Sequence, residues 1–117
     1  MIQHVALEVA PSRVGECVAF YGLLGFEPVE PPRSLRDRAA WVQRGATQIH
    51  LLRLEDAQPL QQGHVAVVIE AFEATVERLR SAGHVPEPRR EHWGSPRAYV
   101  RDPAGNLVEL MEFPPPS

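Results

Sequence analysis

The chain has 117 residues, the length of one domain, and its 44% apolar and 23% charged side chains exclude a disordered polymer. A net charge of −3 without a basic stripe excludes a nucleic-acid surface. All 12 basic residues are arginine and Cys17 is the single cysteine, which excludes Schiff-base and P-loop lysines, intrachain disulfides and a cysteine-rich zinc site.

In chain order, residues 2–9 form the first predicted strand. Val14, Cys17, Val18, Tyr21 and Leu24 then recur at three- and four-residue steps, a helix that Ser12 should cap and Gly25 should end. Cys17 falls on that stripe as a small apolar filler. Residues 31–38 have no apolar period and read as a loop, and 44–46 as a hairpin turn leading into a strand over 48–53. A polar linker covers 54–62. Strand 64–70 follows, then a helix whose stripe is Phe72, Val76 and Leu79 and whose end is Gly83. Residues 91–96 form a second loop. The turn 102–106 precedes a strand over 106–113, and the proline tail 114–117 is expected to be disordered. No apolar run approaches the ~20 residues of a membrane span. Met1-Ile2-Gln3-His4 does not open a signal peptide, so a cytoplasmic location is expected.

The chain repeats itself. His4-Val5-Ala6-Leu7 returns 60 positions on as His64-Val65-Ala66-Val67, Gly25-Phe26 returns 58 on as Gly83-His84, and His50 aligns with Glu109 at 59. Each half therefore reads strand, helix, strand, strand, strand, an α+β pattern of two tandem βαβββ modules, about 1–53 and 63–113, within one domain.

Strand alternation assigns the faces. Val5, Leu7 and Val9 should lie under the helices, which turns His4, Ala6 and Glu8 to the other side. Val65, Val67 and Ile69 do the same for His64, Ile49 and Leu51 for His50, and Val108 and Leu110 for Glu109. The first and last strands of each half thus present one ligand-type side chain each: His4, His50, His64 and Glu109. Three imidazoles and a carboxylate suit a divalent transition metal such as zinc, iron, nickel, cobalt or manganese, whereas calcium or magnesium would want more oxygens.

The chain resembles the vicinal oxygen chelate superfamily, which includes glyoxalase I, extradiol dioxygenases and bleomycin-resistance proteins. The likeness spans Ile2 to Glu112 and rests on His4-Val5-Ala6-Leu7, Phe20-Tyr21-Gly22-Leu23-Leu24-Gly25-Phe26, Gly63-His64-Val65-Ala66 and Asp102-Pro103-Ala104-Gly105-Asn106-Leu107-Val108-Glu109-Leu110. It implies a U-shaped, partly open mixed sheet with helices on the outer face, a metal held by His4, His50, His64 and Glu109, and usually a homodimer. A single open sheet also leaves strand edges that an identical partner could cover.

The resemblance implies an enzyme, glyoxalase-like lyase or isomerase, or extradiol-type dioxygenase, acting on a small molecule. Histidine stands at position 50, where glyoxalase I has its basic glutamate, while His4, His64 and Glu109 match an iron triad of the dioxygenases. His50 and Glu8 are the candidate proton-transfer groups. Tyr99 stands ten residues before Glu109, where fosfomycin-resistance enzymes carry a tyrosine. Their first-strand threonine is Ala6 here, and their phosphonate-binding arginine is missing after Glu109. Trp41, Tyr99 and Arg97 are candidates for the substrate pocket, and Arg89 with Arg90 for an anionic group. His84 and His92 lie outside the repeat and should be incidental. The competing expectation is a protein that sequesters a drug or other small molecule without catalysis. No nucleic-acid or membrane partner is expected.

Overall fold

The computed structural model describes all residues, Met1–Ser117. Its strands are β1 His4–Val9, β2 Glu27–Val29, β3 Ala39–Arg44, β4 Thr47–Arg53, β5 His64–Val68, β6 Glu87–Arg89, β7 Arg97–Arg101 and β8 Leu107–Met111. Helix α1 is Val14–Leu23 and α2 is Phe72–Ser81, and single 3₁₀ turns cover Pro11–Arg13 and Arg33–Leu35. The strands form two four-stranded mixed sheets with the same topology, β1-β4-β3-β2 and β5-β8-β7-β6. In each, the first strand runs parallel to the last, and the remaining neighbours are antiparallel. This is the α+β architecture of two βαβββ modules.

Two compact units result. The first comprises Met1–Pro59 with Pro103–Asn106, the second Leu60–Asp102 with Leu107–Ser117. The turn between β7 and β8 thus packs with the first unit. Asn106 Nδ2 donates to the Glu8 carbonyl at 3.1 Å. Gly105 has φ +94° and sits so close to Pro59 that an added Cβ would lie 3.2 Å from the proline Cγ. Positive φ and tight space both select glycine there.

Burial follows the predicted alternation. In β1 the exposed positions are His4, Ala6 and Glu8, between the more buried Val5, Leu7 and Val9. His64 and Ala66 repeat this on β5. Strand β8 departs from it, because all five of its residues, Glu109 included, are buried. An acidic side chain in such a place needs partners.

Helix α1 begins later than its pattern suggests. Pro11, Ser12 and Arg13 form the 3₁₀ turn, and neither that turn nor α1 has a side-chain cap. Ser12 is therefore not a helix cap. Proline at the first position of the 3₁₀ turn already lacks the N–H a cap would satisfy. Beyond the predicted stripe, Phe20 is also fully buried, edge-on to Tyr21. Cys17 is buried in the same core. Gly25 after α1 and Gly83 after α2 take φ +93° and +92°, the left-handed helix ends the sequence announces. On α2 the stripe Phe72, Val76 and Leu79 is buried, joined by Thr75. No helix is long and apolar enough to cross a membrane.

Candidate functional site

In the first unit the pairing register sets the site. His50 on β4 lies opposite Ala6 on β1 and opposite Trp41 on β3, with His4 two residues before Ala6. Alanine leaves room, so the three larger rings stack across adjacent strands. His50 lies 4.0 Å from His4, with planes 13° apart, and 4.0 Å from Trp41, with planes 2° apart.

Hydrogen bonds assign the His50 tautomer. Gln48 Nε2 donates to Gln43 Oε1 at 2.7 Å, which turns Gln48 Oε1 toward His50 Nε2 at 2.9 Å. His50 therefore carries its proton on Nε2 and keeps a lone pair on Nδ1. Burial, and secondarily the charge His4 can carry, lower its pKa below the usual histidine value, so the ring is held neutral. His4 Nδ1 meets Gln3 Oε1 at 2.7 Å. As stacked, the two rings have nearly parallel planes about 4 Å apart. In-plane lone pairs so arranged do not meet at one ion about 2.0–2.1 Å from each nitrogen, and ligation by both requires one ring to turn.

A cavity of about 540 Å³ opens beside this stack, lined by Glu8, Leu35, Arg38, Trp41, His50 and Leu52 among others. Glu8 shares this cavity with His50, and its Oε1 accepts from the Gln58 main-chain N–H at 3.5 Å.

The second unit uses the same register with different chemistry. Glu109 on β8 lies opposite Ala66 on β5 and opposite Tyr99 on β7. His64 Nε2 comes to 2.9 Å from Glu109 Oε1, and Arg97 Nε donates to Glu109 Oε2 at 2.8 Å. The carboxylate is only 8% exposed, as is the Arg97 side chain. That hydrogen bond raises the Arg97 pKa above the ordinary arginine value against the opposing effect of burial, so the guanidinium stays charged. Tyr99 lies 5.4 Å from His64 by ring centroid. His64 Nδ1 faces the Gln62 carbonyl at 2.7 Å.

This arrangement tests the fit to a cation. With Nδ1 on the Gln62 carbonyl, the His64 ring presents Nε2 to a carboxylate oxygen. Two acceptors 2.9 Å apart need a proton or a cation between or beside them. A main-chain carbonyl holding the far nitrogen is also how metal-binding histidines are oriented. The His64–Glu109 pair therefore fits a divalent metal, although Arg97 shares the carboxylate. No group of three or more His, Cys, Asp or Glu side chains is assembled as a ligand cluster. The four predicted ligands are thus brought together as two pairs.

A second cavity, of about 590 Å³, is lined by His64, Arg89, Arg90, His92, Arg97, Tyr99 and Arg101 with neighbouring residues. Trp41 and Tyr99 therefore each line the cavity of their own unit. His92, expected to be incidental, belongs to this lining, brought there by the 91–96 loop. Arg101 was missed by the sequence reading, yet Arg97, Tyr99 and Arg101 alternate along β7, a period-two pattern that places all three on one face. His84 lies in neither lining, and its main-chain N–H closes the end of α2 on the Leu79 carbonyl.

No curated protein matches the chain significantly. Among solved structures it is similar to a protein described as glyoxalase-family from Bacillus anthracis, with 27% identity, a TM-score of 0.86 and coverage of 95% of this chain and 93% of that one. It shares its fold with a lactoylglutathione lyase from Agrobacterium tumefaciens (22% identity, TM-score 0.72, coverage 95% and 92%). The same holds for TnmS3, an antibiotic-binding protein from Streptomyces sp. CB03234 (18% identity, TM-score 0.74, coverage 95% and 93%). The family model of the Glyoxalase/Bleomycin resistance protein/Dioxygenase superfamily matches residues 1–110. With the duplicated βαβββ topology and the repeated register of His50 and Glu109, the match establishes that the chain belongs to that superfamily.

Proposed function

We propose that this protein is a divalent-metal-dependent enzyme of the superfamily, acting on a small molecule that offers two neighbouring oxygens, with the His64–Glu109 pair and the His4–His50 pair as the candidate metal donors. The reading is carried by one observation, the His64 Nε2 and Glu109 Oε1 pair held 2.9 Å apart with the far ring nitrogen on a main-chain carbonyl. A bound transition metal would supply Lewis acidity toward an enolate, or redox chemistry in an oxygenase. The chain's own groups do the rest. Glu8, and neutral His50 through its Nδ1 lone pair where that nitrogen holds no metal, are the candidates to take or return a proton in the first unit's cavity. Trp41 would seat a flat group in the first unit's cavity, and Tyr99 and Arg97 a polar group in the second unit's. The reaction is of lyase, isomerase or dioxygenase type, and a homodimer is the proposed working form.

Elemental analysis of protein purified without a metal-affinity step tests the reading. Stoichiometric zinc, iron, nickel, cobalt or manganese, lost in Glu109→Gln and kept in His84→Ala, is the expected result. No metal, even after reconstitution, would sink it.

A second reading, sequestration of a small molecule, has its own support. The stacked Trp41, His50 and His4 rings beside the partly exposed Leu35, Leu52 and Leu54 form a shelf suited to a flat, apolar ligand. Metal-independent retention of an aromatic ligand, weakened by Trp41→Ala, would favour it.

A further inference from the structure

Charge is unevenly spread over this chain. Its net charge is −3 and it has only twelve arginines, yet four of them, Arg89, Arg90, Arg97 and Arg101, line the 590 Å³ cavity of the second unit. No aspartate or glutamate is in that lining. Glu109 answers one of these charges through Arg97. Arg89 and Arg101 also have neutral partners. Arg89 lies over the Tyr99 ring, 4.6 Å from its centroid. Its contact with Glu87 is long, at 3.9 Å, and well exposed. Arg101 reaches the Leu60 and Gln61 carbonyls, each at 3.3 Å. Arg90 follows Arg89 directly and receives an Arg97 hydrogen bond on its carbonyl. Arginines gathered around one concavity focus a positive potential there, and the guanidinium fork matches carboxylate and phosphate oxygens in pairs.

We infer that this cavity is an anion-binding subsite that takes the doubly charged end of a small molecule, a phosphate monoester or a dicarboxylate, on Arg89, Arg90 and Arg101. His92 at the rim adds a hydrogen-bond donor. The cavity has the size of a small-molecule site. Because His64 lines it too, an anion seated there lies next to the His64–Glu109 pair. That the bound molecule is the substrate rests on the proposed metal-dependent reading; that the cavity binds the anion does not.

The test uses the full chain stripped of metal by chelation and titrated at low ionic strength with inorganic phosphate and with malonate, read by calorimetry and by amide NMR shifts. Saturable binding at one site per chain is expected, with the largest shifts on β6 and β7 and loss of affinity as chloride rises. The more tightly held probe identifies the ligand's anionic end as phosphate or dicarboxylate. Arg89→Gln and Arg90→Gln should each weaken binding about tenfold, the effect of removing one charge-assisted hydrogen bond. His84→Ala, outside both cavities, should not change it. Circular dichroism checks that the variants fold. Absence of saturable binding, or equal affinity in folded Arg89→Gln and Arg90→Gln, would overturn the inference. The two proposals fail separately: Arg89→Gln should keep any bound metal while binding the anion more weakly, and a protein that never holds metal yet binds phosphate leaves the subsite standing alone.

Discussion

Arg97 and Glu109 form an ion pair at 2.8 Å with less than a tenth of either side chain exposed. Arg97 is two residues before Tyr99, the residue opposite Glu109, so its side chain reaches diagonally across β7 and β8 to the carboxylate. Removing Arg97 leaves the buried carboxylate with His64 as its remaining side-chain partner. Arg97→Met should cost about 3 kcal/mol of unfolding free energy, read by urea denaturation. The double variant Arg97→Met/Glu109→Met should recover most of it, because neither charge then remains buried. Equal stability of the single variant and the parent would show that the pair is solvated in solution.

His50 links stability to pH. Its folded pKa lies below the unfolded reference of about 6.5. Between the two values the unfolded chain binds more protons, so stability rises with pH through that window and is lost as pH falls through it. In metal-free protein, His50→Phe should flatten the slope of stability just below pH 6.5 while keeping the stack on Trp41. Denaturation midpoints across pH 5 to 7 check this, and an unchanged slope in His50→Phe would place its origin elsewhere.

Metal binding should share that pH sense for a different reason. Imidazoles must be neutral to ligate, so metal content should fall as pH drops below about 6.5. His64→Ala removes a donor from the pair and should abolish stoichiometric metal, while His84→Ala should not. Dialysis at a series of pH values followed by elemental analysis reads both.

Ser95 holds the 91–96 loop to the end of β8. Its fully buried Oγ accepts the Glu112 and Phe113 amides at 3.0 and 3.1 Å and donates to the Pro96 carbonyl at 3.0 Å. Ser95→Ala leaves those two amides without this acceptor and should cost roughly 1–3 kcal/mol. Since the same loop carries His92 to the cavity, phosphate affinity should fall with stability. Hydrogen exchange at Glu112 and Phe113 would report the loosening directly.

Local rules are enough for much of this molecule. Period-two alternation places His4 and Glu8 on one face and Val5, Leu7 and Val9 on the other, because successive strand side chains must point to opposite sides. Gly25 and Gly83 announce where the helices stop, because their left-handed backbone is costly for any other residue. The spacing of 59 between His50 and Glu109 already implies that they hold equivalent places in two copies of one motif. What alternation cannot supply is distance across strands, since it says which face a side chain takes and nothing of its neighbours. The parallel pairs β1-β4 and β5-β8 brought His4 to His50 and His64 to Glu109, and the antiparallel pairs β3-β4 and β7-β8 added Trp41 to the first and Arg97 to the second. Burial of Glu109 also came from tertiary packing, with Arg97 as the counter-charge that makes it tolerable. The arginine cavity arose in the same way: Arg89 and Arg90 are neighbours in sequence, but Arg101 lies eleven residues beyond Arg90, and the antiparallel pairing of β6 with β7 brings all three around one space.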